Sequence, residues 1–438
     1  MALSWVPMSE SEPPARLRVG LLGCGTVGTE VVRLLLTHRE ELAQRAGVEL
    51  ELSGIAVRSL DVQRDPVVPT ALLTTDAEGV VDGADVVVEL LAGVEPARQL
   101  LARAVAAGTT VVSANKAVLA TEGPELYESA EAHGAGVFFE AAVAGAVPVV
   151  RGIRDSLAGD RVTRVLGIVN GTTNFILDEM TREGSDFASV LERAQALGYA
   201  EADPTADVGG NDAAAKAAIL ASLAFHSRVT LSDVPTAGIT AITASDIEAA
   251  TEMGYVIKLL AIAEASSAGL AVRVHPALVP RDHPLAGVHG AYNAVVVDAE
   301  AAGTLMFYGA GAGGLPTASA VLGDLVSAAR LHVAGARPPA ESRYAALPVV
   351  DPASVRTRYL IRLDAADRAG VLAEIAQVFA AHDVSLETLR QGATDEGAAS
   401  LVLVTHAQTE AALSAAVAEL AELEPVHRVT SILRVEGH

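Results

Sequence analysis

Asp212 and Lys216 stand four apart on an expected helix, so their side chains share one face. An ammonium aimed at a carbonyl oxygen can receive the charge that hydride addition leaves there and give it a proton. A neighbouring carboxylate fixes that ammonium in place and biases its charge state. Two more acids, Glu201 and Asp207, lie in the glycine-rich loop just ahead of the pair. The same pattern also fits a helix N-cap at Asp212 with a surface ion pair.

A second constellation is Gly23-Cys24-Gly25-Thr26-Val27-Gly28, directly after an apolar run. Glycines in that spacing let the backbone turn tightly and approach a pyrophosphate at a helix N-terminus. The cofactor-binding set read from it is Gly23, Gly25, Thr26, Val27 and Gly28. At the end of the next strand, where an NAD site usually offers an acid to the ribose, stands Val57-Arg58-Ser59. Arg58 can face a 2′-phosphate, which favours NADP and leaves NAD open; a solvated arginine is the alternative. A third constellation, Ser113-Ala114-Asn115-Lys116, closes a strand on the edge that faces the ligand crevice in open α/β sheets. The chain has only three lysines, Lys116, Lys216 and Lys258. Where arginine carries nearly all the positive charge, a surviving lysine marks a position arginine does not suit.

The elements that must hold these groups follow from the hydrophobic pattern. From Leu17, short apolar strands alternate with helical stretches, which predicts a doubly wound parallel sheet, a Rossmann dinucleotide-binding domain over residues 17–145. A helix near 315–331 is expected to return to it. Residues 146–333 read as a mixed α+β domain for substrate binding and dimerisation, including a helix over Ser245–Ala263 with Lys258 on its edge. Residues 334–357 carry prolines and no clear period, and read as a linker. Residues 358–438 run strand, helix, strand, strand, helix, strand, a ferredoxin-like order. Residues 1–16 read as a flexible tail without the basic start and apolar core of a signal peptide.

Composition narrows the function classes. At 438 residues and 51% hydrophobic, the chain is long enough for about three domains and able to fill their cores. A net charge of −23 disfavours nucleic acid and anionic membranes as partners. No apolar run reaches the roughly 20 residues needed to span a bilayer, so a cytoplasmic enzyme is expected. The single cysteine, Cys24, permits no internal disulfide. It also argues against an acyl-enzyme route for an aldehyde, because it sits within the phosphate loop. No histidine spacing points to a transition metal.

Ala194–Lys216 resembles the signature of homoserine dehydrogenases, and Gly23–Gly28, Ser113–Lys116, Asn170-Gly171-Thr172-Thr173-Asn174 and Gly309–Thr317 resemble that family's landmarks in its order. The resemblance covers about residues 17–335. It implies reversible reduction of L-aspartate 4-semialdehyde to L-homoserine by a nicotinamide cofactor. It further implies Lys216 as proton donor, Asp212 as its supporting carboxylate and Lys116 as a lysine near nicotinamide and substrate. Substrate contacts would come from Glu201, Gly171, Thr172 and Asp207, and a cofactor contact from Gly311. Glu140, Val143, Gly145 and Val147 resemble a sodium site; a plain structural turn is the alternative. The loop Ala92–Pro96 departs from the family by lacking paired glycines.

The last unit resembles an ACT domain, an amino-acid-binding regulatory module. Asp367, Gly370 and Val371 lie at its first strand-to-helix turn, where free N–H groups can meet a carboxylate. With such an extension the resemblance suggests feedback inhibition by L-threonine, or a unit kept for dimerisation, and a homodimer or homotetramer. An ACT-bearing 2-hydroxy-acid dehydrogenase would need an arginine and a histidine–carboxylate pair that this chain does not offer in recognisable spacing. A sensor built on an inactive dehydrogenase would have no need of Lys216 or Glu201. A fused aspartate kinase is not expected ahead of Leu17.

Overall fold

The computed structural model describes residues 16–393 and 399–437. Apart from Arg16, the expected tail lies outside the described residues. The chain divides into two compact units, residues 16–152 with 310–342, and residues 153–309 with 343–437.

The first unit is built on six parallel strands: β1 (Arg16–Leu22), β2 (Glu49–Ala56), β3 (Leu73–Thr74), β4 (Val86–Glu89), β5 (Thr110–Ser113) and β6 (Val137–Phe138). Their order is β3-β2-β1-β4-β5-β6, the arrangement whose order reverses beside β1. Helices α1 (Thr26–Thr37), α2 (Arg39–Ala46), α3 (Ala77–Asp82), α4 (Ala97–Ala106) and α5 (Lys116–His133) supply the crossovers. β4 is buried along its whole length, as expected of a strand covered on both faces. A short α6 (Val149–Arg151) closes the segment, so the unit runs to Gly152 rather than to Gly145. The late helix α12 (Gly314–Ala334) belongs to this unit and packs on α1 through Ala318, Val321 and Leu325.

The second unit contains one long mixed sheet. Its strands are β7 (Val162–Ile168), β8 (Tyr255–Ser266), β9 (Gly269–Pro280), β10 (Tyr292–Ala299), β11 (Gly303–Ala310), β12 (Arg356–Ala365), β13 (Leu386–Ala393), β14 (Ala399–Thr405) and β16 (Val426–Val435). A two-residue β15 (Gln408–Thr409) pairs with the start of β12. The order is β11-β10-β7-β8-β9-β16-β12-β14-β13. Helices α7 (Gly171–Glu183), α8 (Phe187–Ala196), α9 (Thr205–Val208), α10 (Asn211–Phe225) and α11 (Ala244–Glu252) belong to the first half of this unit, and α13 (Val371–Ala381) and α14 (Glu410–Glu422) to its C-terminal half. The last four long strands and two helices have the ferredoxin-like order.

Three sequence expectations change. The helix expected over Ser245–Ala263 stops at Glu252, and Gly254 with φ +83° turns the chain into β8. The run Tyr255–Ala263 is apolar on both faces because β7 and β9 flank it and helices cover it, so alternation does not mark it as a strand. Lys258 therefore stands on a buried strand, not on a helix edge. The expected linker is also partly structured: Leu270 and Val349 form a β-bridge, with Leu270 N–H donating to Pro348 O and Val350 N–H to Leu270 O. Finally, the C-terminal half does not form a separate compact unit. β16 joins β9 in a short parallel seam, Arg434 against Ala277 and Val435 against Leu278. Among the described residues no helix is long and apolar enough to cross a membrane.

Candidate active site

α10 is unusually closely seated. Its alanines at 213–215, 217, 218 and 221 are buried, and α10 packs on β7, β8 and β9. Gly210 begins it with φ +88°, and a Cβ there would lie 2.9 Å from Thr236 Cγ2, so only glycine fits. Asp212 and Lys216 thus lie on a helix face turned inward, each only 9% exposed.

Lys216 Nζ donates to Asp212 Oδ2 at 2.7 Å and to the Val169 carbonyl at 2.7 Å. Asn170 completes the arrangement. Its Oδ1 caps α7 by accepting from Thr173 N–H, and its amide nitrogen donates to Asp207 Oδ1 at 2.7 Å and Asp212 Oδ2 at 2.9 Å. Thr172 Oγ1 donates to the Tyr199 carbonyl and reaches Asp207 Oδ2 at 3.3 Å. The end of β7, the first turn of α7, α9 and α10 therefore converge on one hydrogen-bonded cluster. An ammonium has three hydrogens, and these bonds occupy two of Lys216's. The alternative of a surface ion pair at Asp212–Lys216 is set aside by this burial.

Of the other expected substrate residues, Gly171 is the first residue of α7, and a Cβ on it would strike the Ala291 carbonyl at 2.6 Å. Glu201 is exposed on the loop between α8 and α9, its carbonyl held by Gln195. In sequence Asn170 stands only as the first residue of the 170–174 motif. Its capping position is legible in sequence, but its grip on Asp207 and Asp212 spans 37 and 42 residues and is not.

In the first unit, a Cβ on Gly28 would lie 2.3 Å from the Gly23 carbonyl, while one on Gly25 would meet nothing within 4 Å. The first contact requires glycine for helix and strand to meet. The second leaves open space over the α1 N-terminus, where the amides of Thr26, Val27 and Gly28 have no intrahelical acceptor. This is a fit for a pyrophosphate. Arg58 is exposed just past β2. A second arginine escaped the sequence reading: Arg64 donates to the carbonyls of Ser59 and Val62 and lies close enough to act electrostatically on Cys24. Burial, the larger effect, pushes the Cys24 thiol up, which suits a bystander rather than a nucleophile.

Lys116 opens α5, whose cap is Asn115. The Asn115 amide also donates to the Gly93 carbonyl at 2.7 Å. Glu89, fully buried at the end of β4, accepts from Ser113 Oγ at 2.6 Å and Leu91 N–H at 2.7 Å. Burial pushes its carboxyl above the usual carboxylate range, opposed by those bonds. No spacing rule in the sequence singles Glu89 out.

At the expected cation site, both Glu140 carboxylate oxygens are engaged, by Val150 N–H and by the N–H and Nε of Arg151. Ala144 and Gly145 both have positive φ, 57° and 58°, and a Cβ on Gly145 would lie 2.5 Å from the Gly311 carbonyl. Gly145 and Gly311 are thus brought together. In the C-terminal half, Gly370 (φ +98°) caps α13, and a cavity of about 240 Å³ is lined by Asp367, Gly370, Val371 and Gln391 among others.

Comparison with known proteins supplies the family. The family model for homoserine dehydrogenase matches residues 148–326, that for the homoserine dehydrogenase NAD-binding domain matches 23–140, and that for the ACT domain matches 359–425. The homoserine dehydrogenase of Mycobacterium tuberculosis is 54% identical over 431 residues, covering 96% of this chain and 97% of that one. The enzyme of Corynebacterium glutamicum is 52% identical over 432 residues, covering 97% and 96%. The crystal structure of a homoserine dehydrogenase from Thiobacillus denitrificans superposes with a TM-score of 0.92 at 42% identity, covering 97% of this chain and 99% of that one. The chain belongs to the homoserine dehydrogenases, NAD(P)-dependent oxidoreductases, in the form that carries a C-terminal ACT domain.

Proposed function

We propose that Lys216 is the proton donor in the reduction of L-aspartate 4-semialdehyde to L-homoserine. The observation that carries this reading is the buried ammonium held between Asp212 and the Val169 carbonyl, with one hydrogen left to point at a substrate oxygen. A bound nicotinamide supplies the hydride. Lys216 Nζ stabilises the oxygen at C4 as charge grows there and passes it a proton. Asp212 holds the ammonium in place. Glu201 meets the substrate's ammonium group, and Gly171, Thr172 and Asp207 define its seat. Lys116 serves nicotinamide and substrate. Fixing the aldehyde in this seat removes much of the entropic cost of reaction. Lys216→Ala tests the reading. It should abolish turnover in a protein that still folds, with a lowered unfolding temperature because Asp212 loses its buried partner, and normal turnover would end the assignment.

NADP is the proposed cofactor, on the support of Arg58, exposed just past β2, and of Arg64, close to Cys24 of the glycine loop. Gly311 contributes next to Gly145. A sodium ion at the 143–147 turn would rest on the carbonyls of Val143, Gly145 and Val147, since Arg151 already engages the Glu140 carboxylate; replacing sodium by choline in the assay tests it. L-Threonine is the proposed effector at Asp367, Gly370 and Val371, where the cavity meets a helix N-terminus. Suppression of NADPH oxidation by threonine that is lost in Gly370→Val would support it; threonine-insensitive wild-type activity would not. A homodimer or homotetramer is supported by the exposed Tyr292–Tyr308 stack at the β10–β11 edge, with Met306 beside it. The cytoplasm is the proposed location.

A further inference from the structure

Lys258 takes no direct part in the mechanism above, yet its ammonium is buried, with the residue only 3% exposed. Placing an ammonium there is costly unless it is paired and hydrogen-bonded. Its Nζ donates to Asn174 Oδ1 at 3.0 Å and to the Val288 carbonyl at 2.6 Å. Two further titratable groups, Asp178 and His289, stand around it. Asp178 attracts the ammonium, while burial pushes Lys258 down to about 8. The Asp178 carboxylate is itself bonded to His289 Nδ1 and Gly290 N–H.

The bond from Lys258 settles which way the Asn174 amide faces. With Oδ1 on the ammonium, the amide nitrogen turns to the carbonyls of the 288–292 loop, at 2.8 Å from Gly290. That loop sits directly on the start of α7, because the Ala291 carbonyl occupies the space a Cβ on Gly171 would need. Gly171 follows Asn170, which grips Asp207 and Asp212, and Asn170 follows Val169, whose carbonyl holds Lys216.

We propose that Lys258 is a positioning residue for the catalytic centre: acting through Asn174 and the 288–292 loop, it sets the first turn of α7 so that Val169 and Asn170 hold Lys216 and Asp212 in working geometry. The inference rests on the reading of Lys216 as proton donor. Its physical content is register. Methionine at 258 would fill similar volume but release both acceptors, leaving the Asn174 amide free to flip and the loop free to shift against Gly171.

The experiment is steady-state kinetics on the full-length protein, wild type against Lys258→Met, Asn174→Ala, the double variant and Lys216→Ala. NADPH and L-aspartate 4-semialdehyde are the substrates, with thermal unfolding followed in parallel. Lys258→Met should lower kcat at least tenfold while the KM for NADPH stays within twofold, since the dinucleotide fold lies in the other unit. The double variant should be no more than twofold worse than the poorer single, because both act through one contact. General loosening would instead raise the NADPH KM and make the losses additive, and either result overturns the proposal. So does a folded Lys258→Met enzyme with kcat within twofold of wild type. If Lys258→Met does not fold, Asn174→Ala decides alone: an unchanged kcat overturns the inference, and a tenfold loss at constant NADPH KM supports it. Inactive Lys216→Ala beside fully active Lys258→Met removes this inference only. Active Lys216→Ala removes both readings.

Discussion

Replacing Asn170 separates two roles that one side chain performs. Its carbonyl oxygen caps α7, and its amide nitrogen joins Asp207 to Asp212. Asparagine to aspartate preserves the first role, because aspartate is as good an N-cap. It destroys the second, replacing a donor to two carboxylates by a third negative group beside them. A hydrogen bond to a charged partner contributes about 1.5–3 kcal/mol. At about 1.4 kcal/mol per tenfold, loss of one such bond from the reacting geometry lowers kcat roughly 10- to 150-fold. Asn170→Asp loses two bonds and adds repulsion, so it should lie at or beyond the upper end. Asn170→Ala loses the cap as well, at about 1 kcal/mol of stability, but adds no charge. The expected order of kcat is therefore wild type, then Ala, then Asp, while unfolding in urea should rank Asp no worse than Ala only if capping outweighs repulsion. Rates of NADPH oxidation at saturating semialdehyde give the order directly. An Asn170→Asp enzyme with wild-type kcat would show that Asn170 is only a cap and would refute the reasoning.

Gly28→Val should raise the NADPH KM at least tenfold, because its Cβ would fall 2.3 Å from the Gly23 carbonyl; fluorescence titration of the cofactor reads this. Arg58→Ala combined with Arg64→Ala should cut the NADPH:NADH preference by an order of magnitude or more, as the loss of two contacts to a phosphate would; an unchanged ratio places the 2′-phosphate elsewhere. Glu436 accepts from Arg273 at 2.8 Å, and although burial alone would raise its pKa, the pull of Arg273 and His275 holds it at about 2 against an ordinary 4.5. A carboxyl with a depressed native pKa stabilises fully above its unfolded value and loses that contribution as pH falls towards the native one. Stability should therefore drop by a few kcal/mol between about pH 4.5 and 2. Glu436→Gln should flatten that limb in urea titrations, and an equally steep limb would remove Glu436 as its cause.

The parts of this molecule that sequence exposes are those with short-range rules. A glycine string after a strand, a carboxylate four residues before a lysine, and alternating strand and helix each announce themselves within a few turns of chain, and each is found where its spacing puts it. What escaped is set by long-range packing. Tyr255–Ser266 is a strand because of neighbours on both sides, and its own residues carry no alternation to say so. Asn170, Glu89 and Arg64 gain their roles from partners that only folding brings near. The family landmarks identified the reaction, but they did not distinguish the residues that touch substrate from those that aim them.

The seam between β9 and β16 makes the two halves of the second unit one piece of cloth. β9 ends at Pro280 and β16 begins at Val426, 146 positions later (426 − 280), so the catalytic sheet waits for nearly all of the regulatory half before that edge is closed. During synthesis β9 is an open border, a template for stray pairing. The same holds for any truncation of the C-terminal half. Cutting away the regulatory half would strip Glu436 from Arg273 and uncover the neighbours of the helix that carries Lys216. A point substitution at the 367–371 turn leaves that hem sewn, and is the gentler way to alter the cavity there.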